Sequence, residues 1–122
     1  PVPAPRAFEI ERTVHAIAAR MTVADKVGLA ELLSDDCTWS GDGPHATGAA
    51  EVLSVWSPAG SVWTVGLVSV SALQGREAVA TTVLERLSRG DTGSSRTSWL
   101  CEDRFERLSA RWRLTQRTLT SI

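Results

Sequence analysis

Residues 97–107 separate into two unlike faces, and this constrains the fold more than any other stretch of the chain. At the two-residue period of a strand, Trp99, Cys101, Asp103 and Phe105 share one side, while Leu100, Glu102, Arg104 and Glu106 share the other. The charged set belongs to solvent or to a partner, so the sheet is buried on one side only. If Ser109 and Ala110 form a two-residue hairpin tip, Phe105 opposes Leu114 and Glu106 opposes Arg113. The same register opposes Asp103 to Gln116 and Glu102 to Arg117, which pairs opposite charges on the outer face.

Around this hairpin the remaining segments fall into order. Ile10, Val14, Ile17 and Met21 recur at helical spacing and predict an amphipathic helix over about residues 6–21, after a flexible proline-rich lead-in at 1–6. Thr22-Val-Ala-Asp25 reads as a capping box for a second helix carrying Leu29, Leu32 and Leu33, which Ser34-Asp35-Asp36 stops. Cys37–Ser40 reads as a short strand, and the Gly- and Pro-rich stretch 41–48 as a loop. Thr47 then caps a third helix bearing Val52, Leu53 and Trp56. Residues 61–73, 77–88, 96–108 and 111–121 are strands joined by tight turns. Helices first and long antiparallel strands afterwards make an α+β fold, in one domain over residues 7–122.

Composition excludes several classes. At 122 residues, with 43% hydrophobic and 22% charged residues, the chain supports one globular core. No apolar run is long enough for a membrane helix, and the segment reads as cytoplasmic. A net charge of −1 argues against nucleic-acid binding. Residues 1–60 carry four basic and eight acidic side chains and residues 61–122 nine and six, so the surplus arginines lie on the sheet. Cys37 and Cys101 are too few for a disulfide scaffold and read as buried free thiols, and no metal-ligand spacing exists.

Asp103 is the residue that needs explaining. A carboxyl on an apolar face finds donors, as a structural acid would with Gln116, or it neutralises and stands ready for proton transfer. Trp39, Trp56, Trp63 and Trp99 either fill the core or line a cavity for a flat ligand, with Trp39 and Trp99 the pair expected to face it. His15 lies one position off the helical stripe. It either pairs with Glu11 on the surface or serves as an acid or base, and Asp42 and His45 sit in the 41–48 loop.

Leu29–Trp39 with the glycine-bearing loop to Gly48, and Glu102-Asp-Arg-Phe-Glu-Arg-Leu-Ser-Ala-Arg-Trp-Arg113, resemble the nuclear transport factor 2-like (SnoaL-like) superfamily. The resemblance runs from about residue 7 to residue 120. It implies a cone-shaped roll, with three N-terminal helices packed on a strongly curved, mainly antiparallel sheet that encloses a pocket. It also implies a homodimer through the outer sheet face. Asp103 falls where ketosteroid isomerase keeps a protonated oxyanion-hole aspartic acid, a known example of a carboxyl held neutral by an apolar site. The isomerase's base position falls on Gly41, beside Asp42, and its oxyanion tyrosine has no counterpart because the chain contains no tyrosine; His15 lies near that position. The expectation is a small cofactor-free enzyme of isomerase, cyclase or dehydratase type acting on a hydrophobic polycyclic or polyketide-like substrate. Asp103, His15, Asp42 and His45 would be catalytic, and Trp39, Trp56, Trp63, Trp99, Phe105 and Gln116 would contact substrate. The alternative is a non-catalytic small-molecule-binding or dimerisation module of the same fold.

Overall fold

A computed structural model describes residues 4–57, 60–90 and 93–122. Three helices, α1 (Ala4–Thr22), α2 (Lys26–Leu32) and α3 (Gly48–Trp56), precede the four long strands. The strands are β1 (Leu33–Gly41), β2 (Ala46–Thr47), β3 (Ser61–Gln74), β4 (Glu77–Gly90), β5 (Gly93–Leu108) and β6 (Arg111–Ser121). Among the described residues they form one six-stranded sheet in the order β2-β1-β6-β5-β4-β3, in which only the β1–β6 pair is parallel. The expected α+β roll with a mainly antiparallel sheet is therefore the observed architecture. Among the described residues, no helix is long and apolar enough to cross a membrane.

Local chemistry shifts several boundaries. The first helix starts at Ala4, so it takes in part of the expected lead-in, and residues 1–3 lie outside the described residues. Its stripe holds: Ile10, Val14, Ile17 and Met21 are fully buried. The cap of α2 is Asp25 alone, whose Oδ1 accepts from the Gly28 N–H at 2.9 Å. Thr22 stays in α1, and its hydroxyl accepts instead from the Trp63 N–H of β3 at 2.9 Å. Leu33-Ser34-Asp35-Asp36 opens β1 rather than ending α2; Leu33 points inward and the two aspartates face solvent. Pro58 and Ala59, in the expected stop after α3, lie outside the described residues, as do Asp91 and Thr92 in the β4–β5 turn.

The hairpin tip behaves as expected, with Ser109 and Ala110 both at positive φ (50° and 65°), the geometry of a two-residue turn that matches strand twist. From the tip to Phe105↔Leu114 the register is the expected one. Beyond it the strands slip by one residue, because Thr115 is a bulge, its hydroxyl donating to the Arg104 carbonyl at 3.1 Å. Inward-facing residues on β6 therefore change from the even numbers Trp112 and Leu114 to the odd numbers Arg117 and Leu119. Asp103 opposes Arg117 rather than Gln116, and Glu102 opposes Thr118.

Candidate functional site

The bulge at Thr115 builds the centre of the site. Asp103 and Arg117, both fully buried, face each other across β5 and β6. The Arg117 Nε donates to Asp103 Oδ1 and its Nη2 to Oδ2, each at 2.8 Å, a bidentate charge-assisted pair. Thr82 on β4 donates its hydroxyl to Asp103 Oδ2 at 3.2 Å. On its other side the guanidinium lies over the Trp39 ring of β1, 4.6 Å from the centroid. Burial works against the Arg117 charge, but the Asp103 carboxylate and the hydrogen bonds to it outweigh that and hold the guanidinium above its ordinary pKa.

Tryptophans fill the space the roll encloses. Trp39 lies 5.9 Å from Trp56 on α3, and Trp56 lies 5.4 Å edge-on from Trp99 on β5. Trp99 stacks on Trp63 of β3 at 5.8 Å. A second arginine, Arg86 on β4, closes the far end of this row, 5.6 Å from the Trp63 ring and 5.4 Å from the Trp99 ring. The row thus runs from one guanidinium to another through four indoles. Trp56 is further fixed by its N–H, which donates to the Pro44 carbonyl at 2.8 Å. The 41–48 loop lies directly on that ring: Gly43, at a φ of 132°, has no room for a Cβ against it.

Donors outnumber acceptors in this interior. Among the described residues, four buried side-chain polar atoms lack a partner, and three belong to the row: Arg117 Nη1, Trp39 Nε1 and Arg86 Nε. The fourth is Ser34 Oγ on β1. The two thiols beside the ion pair add no negative charge at neutral pH. Burial pushes Cys37 up to about 12 and Cys101 up to about 11, against the opposing pull of the Arg117 charge.

The expected site residues divide between inside and outside. Asp103, Trp39, Trp56, Trp63, Trp99 and Phe105 all lie within the core, each 5% exposed or less. Gln116 does not join them: the bulge turns it to the outer face, where it lines a cleft of about 480 Å³ with Asp36, Glu77, Arg104 and Glu106. His15 is exposed on α1, because the buried stripe passes through Val14 and Ile17 and leaves the intervening position to solvent. Asp42 and His45 are exposed as well. Asp42 is a latch, its Oδ2 accepting the Ser121 N–H at 2.9 Å while its own N–H donates to the Leu119 carbonyl at 2.8 Å. Arg117 and Arg86 carry the chemistry that the strand periodicity misses. The parity conflict between Leu114 and Leu119 is the signal that reveals the first of them.

No family model matches the chain, and no curated protein does. Solved structures match it over nearly its whole length. An NTF2-like protein with a cystatin-like fold from Novosphingobium aromaticivorans is 18% identical with a TM-score of 0.79, covering 94% of this chain and 80% of that one. A type 2 hexachlorocyclohexane dehydrochlorinase (LinA) is 13% identical at a TM-score of 0.79, with 97% and 85% covered. The CaMKII hub of S. rosetta is 17% identical at 0.79, with 99% and 100% covered. Identities this low speak to architecture alone.

Proposed function

We propose that this chain, a nuclear transport factor 2-like roll, binds small hydrophobic molecules that carry a carboxylate or carbonyl acceptor. The observation that carries the reading is the surplus of donors at the two ends of the tryptophan row: Arg117 Nη1 and Arg86 Nε are buried without acceptors. A buried donor left unmade costs about 1–3 kcal/mol, so an incoming acceptor recovers part of that cost. The indoles suit a flat apolar body. The interior carboxylate of Asp103 is already paired with Arg117, and the described residues offer the partly buried Arg86 the Trp56 carbonyl at 3.5 Å but no ion-pair partner, which favours an anionic ligand. Arg86 is only partly buried whereas Arg117 is sealed, so the ligand enters from the Arg86 end.

The experiment compares naphthoate with its neutral counterpart naphthalenemethanol by titration calorimetry. Naphthoate should bind at least tenfold more tightly, and Arg86→Gln should remove most of that preference. Equal or undetectable binding of the two at millimolar concentration overturns the reading and leaves ordered water as the missing acceptor.

A solved dehydrochlorinase shares the architecture, and a second reading keeps the activity that the sequence resemblance implies. It is an acid–base enzyme of isomerase, cyclase or dehydratase type, with Asp103 as its acid and His15, Asp42 or His45 as its base. It requires Asp103 to exchange Arg117 for substrate and one exposed base to reach the interior. The binding reading leaves the Asp103–Arg117 pair intact and needs no base, but the tryptophans that fill the interior must part to admit the ligand.

A further inference from the structure

The two edges of the sheet are unlike. One is β2, only two residues long, and the other is β3, fourteen residues from Ser61 to Gln74. Edge strands are usually guarded by charges, prolines, bulges or a covering element, because their free N–H and C=O groups recruit other strands, and of these β3 has two bulges, at Gly66 and Ser71. The β3 sequence, SVWTVGLVSVSALQ, contains no charged residue and no proline. Four of its fourteen residues are Val, and Val62 and Leu67 are 44% and 59% exposed. Helix α1 covers its inner face, and the Thr22 hydroxyl occupies the edge at Trp63. Among the described residues nothing hydrogen-bonds the free edge of the segment from Val65 to Leu73.

We propose that β3 pairs edge to edge with β3 of a second copy, antiparallel about a two-fold axis. The identity of the partner follows from the strand inventory. A head-to-tail contact would need a second long edge, and β2 is too short to supply one, so β3 can satisfy itself only with another β3. Having no charge, the strand brings no like-charge repulsion to its own copy. The register is confined by two bulges, at Gly66 and Ser71, which leave Leu67–Val70 as an uninterrupted run paired to Val83–Ala80 of β4. An axis between Val68 and Ser69 opposes Leu67 to Val70 of the partner subunit's strand. So short a run makes a weak, concentration-dependent dimer. This contact is independent of the ligand reading and differs from the face-to-face dimer that the family resemblance implies.

Sedimentation velocity from about 5 to 500 µM, with amide exchange at both ends of the range, tests the proposal. The wild type should dimerise as concentration rises, with Leu67–Val70 amides gaining protection in step. Ser69→Lys, at an exposed position, should weaken the dimer at least tenfold while leaving the circular dichroism and melting temperature of the monomer unchanged. A chain that stays monomeric with concentration-independent exchange overturns the proposal. So does a dimer that survives Ser69→Lys and is broken by Arg104→Glu, which would place the contact on the outer sheet face.

Discussion

Two arginine–carboxylate pairs sit on adjoining residues of the β5–β6 hairpin in opposite environments. Asp103 and Arg117 are sealed inside, bidentate at 2.8 Å, with Thr82 and Trp39 around them. Glu102 and Arg104 face solvent at 3.7 Å, with side chains 62% and 57% exposed. The outer pair is screened, loses side-chain entropy when it forms, and does little for stability. The inner pair is held by its surroundings and costs desolvation that its own attraction only partly offsets. A neighbouring residue number thus separates a surface decoration from a feature that fixes which face of β6 points inward.

The sharpest way to break this contrast is to remove one inner partner. Arg117→Met should destabilise the protein by about 3–5 kcal/mol, because it leaves the Asp103 carboxylate without its counter-charge in a dry core. Asp103→Leu combined with Arg117→Met should recover most of that loss, since an apolar replacement of both partners removes the desolvation cost as well. Urea unfolding of the three chains reads both effects. A stable double variant would show that the fold does not require the pair and would strengthen its assignment to ligand binding. A single variant no worse than a surface substitution would mean that water reaches Asp103.

The inner site also predicts a pH dependence of stability. Cys37 and Cys101 ionise near 9 when unfolded, and burial moves them up to about 12 and about 11 in the folded chain. Between pH 9 and 11 the unfolded chain therefore binds fewer protons than the folded one. Stability falls as pH rises, by about 1.4 kcal/mol per pH unit for each thiol, and is unaffected by this cause below pH 8. Urea midpoints at pH 8 and pH 10 check this, with Cys37→Ala and Cys101→Ala each flattening the slope. Thiol reagents at pH 8 should modify neither cysteine without prior unfolding.

The same contrast explains what could be read from the chain before its structure. The helical stripe through Ile10, Val14, Ile17 and Met21, the hairpin tip and the Phe105–Leu114 register are local patterns, each fixed within a few residues. Asp103 could be placed inside by the same alternation. Its partner could not, because a single extra residue at Thr115 inverts every later side chain, and strand periodicity assumes that no such insertion occurs. The conflict was nonetheless present in the sequence: Leu114 and Leu119 cannot share a face without a bulge between them. The β1 boundary failed for a related reason. Asp35 and Asp36 are both exposed beside a register shift in the β1–β6 pair, so their polarity resembles a helix stop. Strand periodicity does not single out Arg86, because inward parity on β4 is set by Ala78, Ala80, Thr82 and Leu84, whose mostly small or polar side chains give a weak apolar signal.

The smallest effect belongs to the outer pair and sharpens the comparison from the other side. Glu102→Gln and Arg104→Gln should each change stability by no more than about 0.5 kcal/mol, and the double variant should show no coupling beyond that. The same experiment in 0.5 M salt should move the values closer to zero, since exposed charges are screened over a few ångströms at that ionic strength. The Arg117→Met loss should hold in salt, because ions do not reach a residue with no exposed surface. If the outer variants instead cost as much as the inner ones at low protein concentration and lost that cost in salt, Glu102 and Arg104 would belong to a wider charge network across β5. The contrast between the two faces would then be one of degree. Salt-insensitive inner losses beside negligible outer ones would tie most of the difference to burial, since both pairs join an arginine to a carboxylate of the same hairpin.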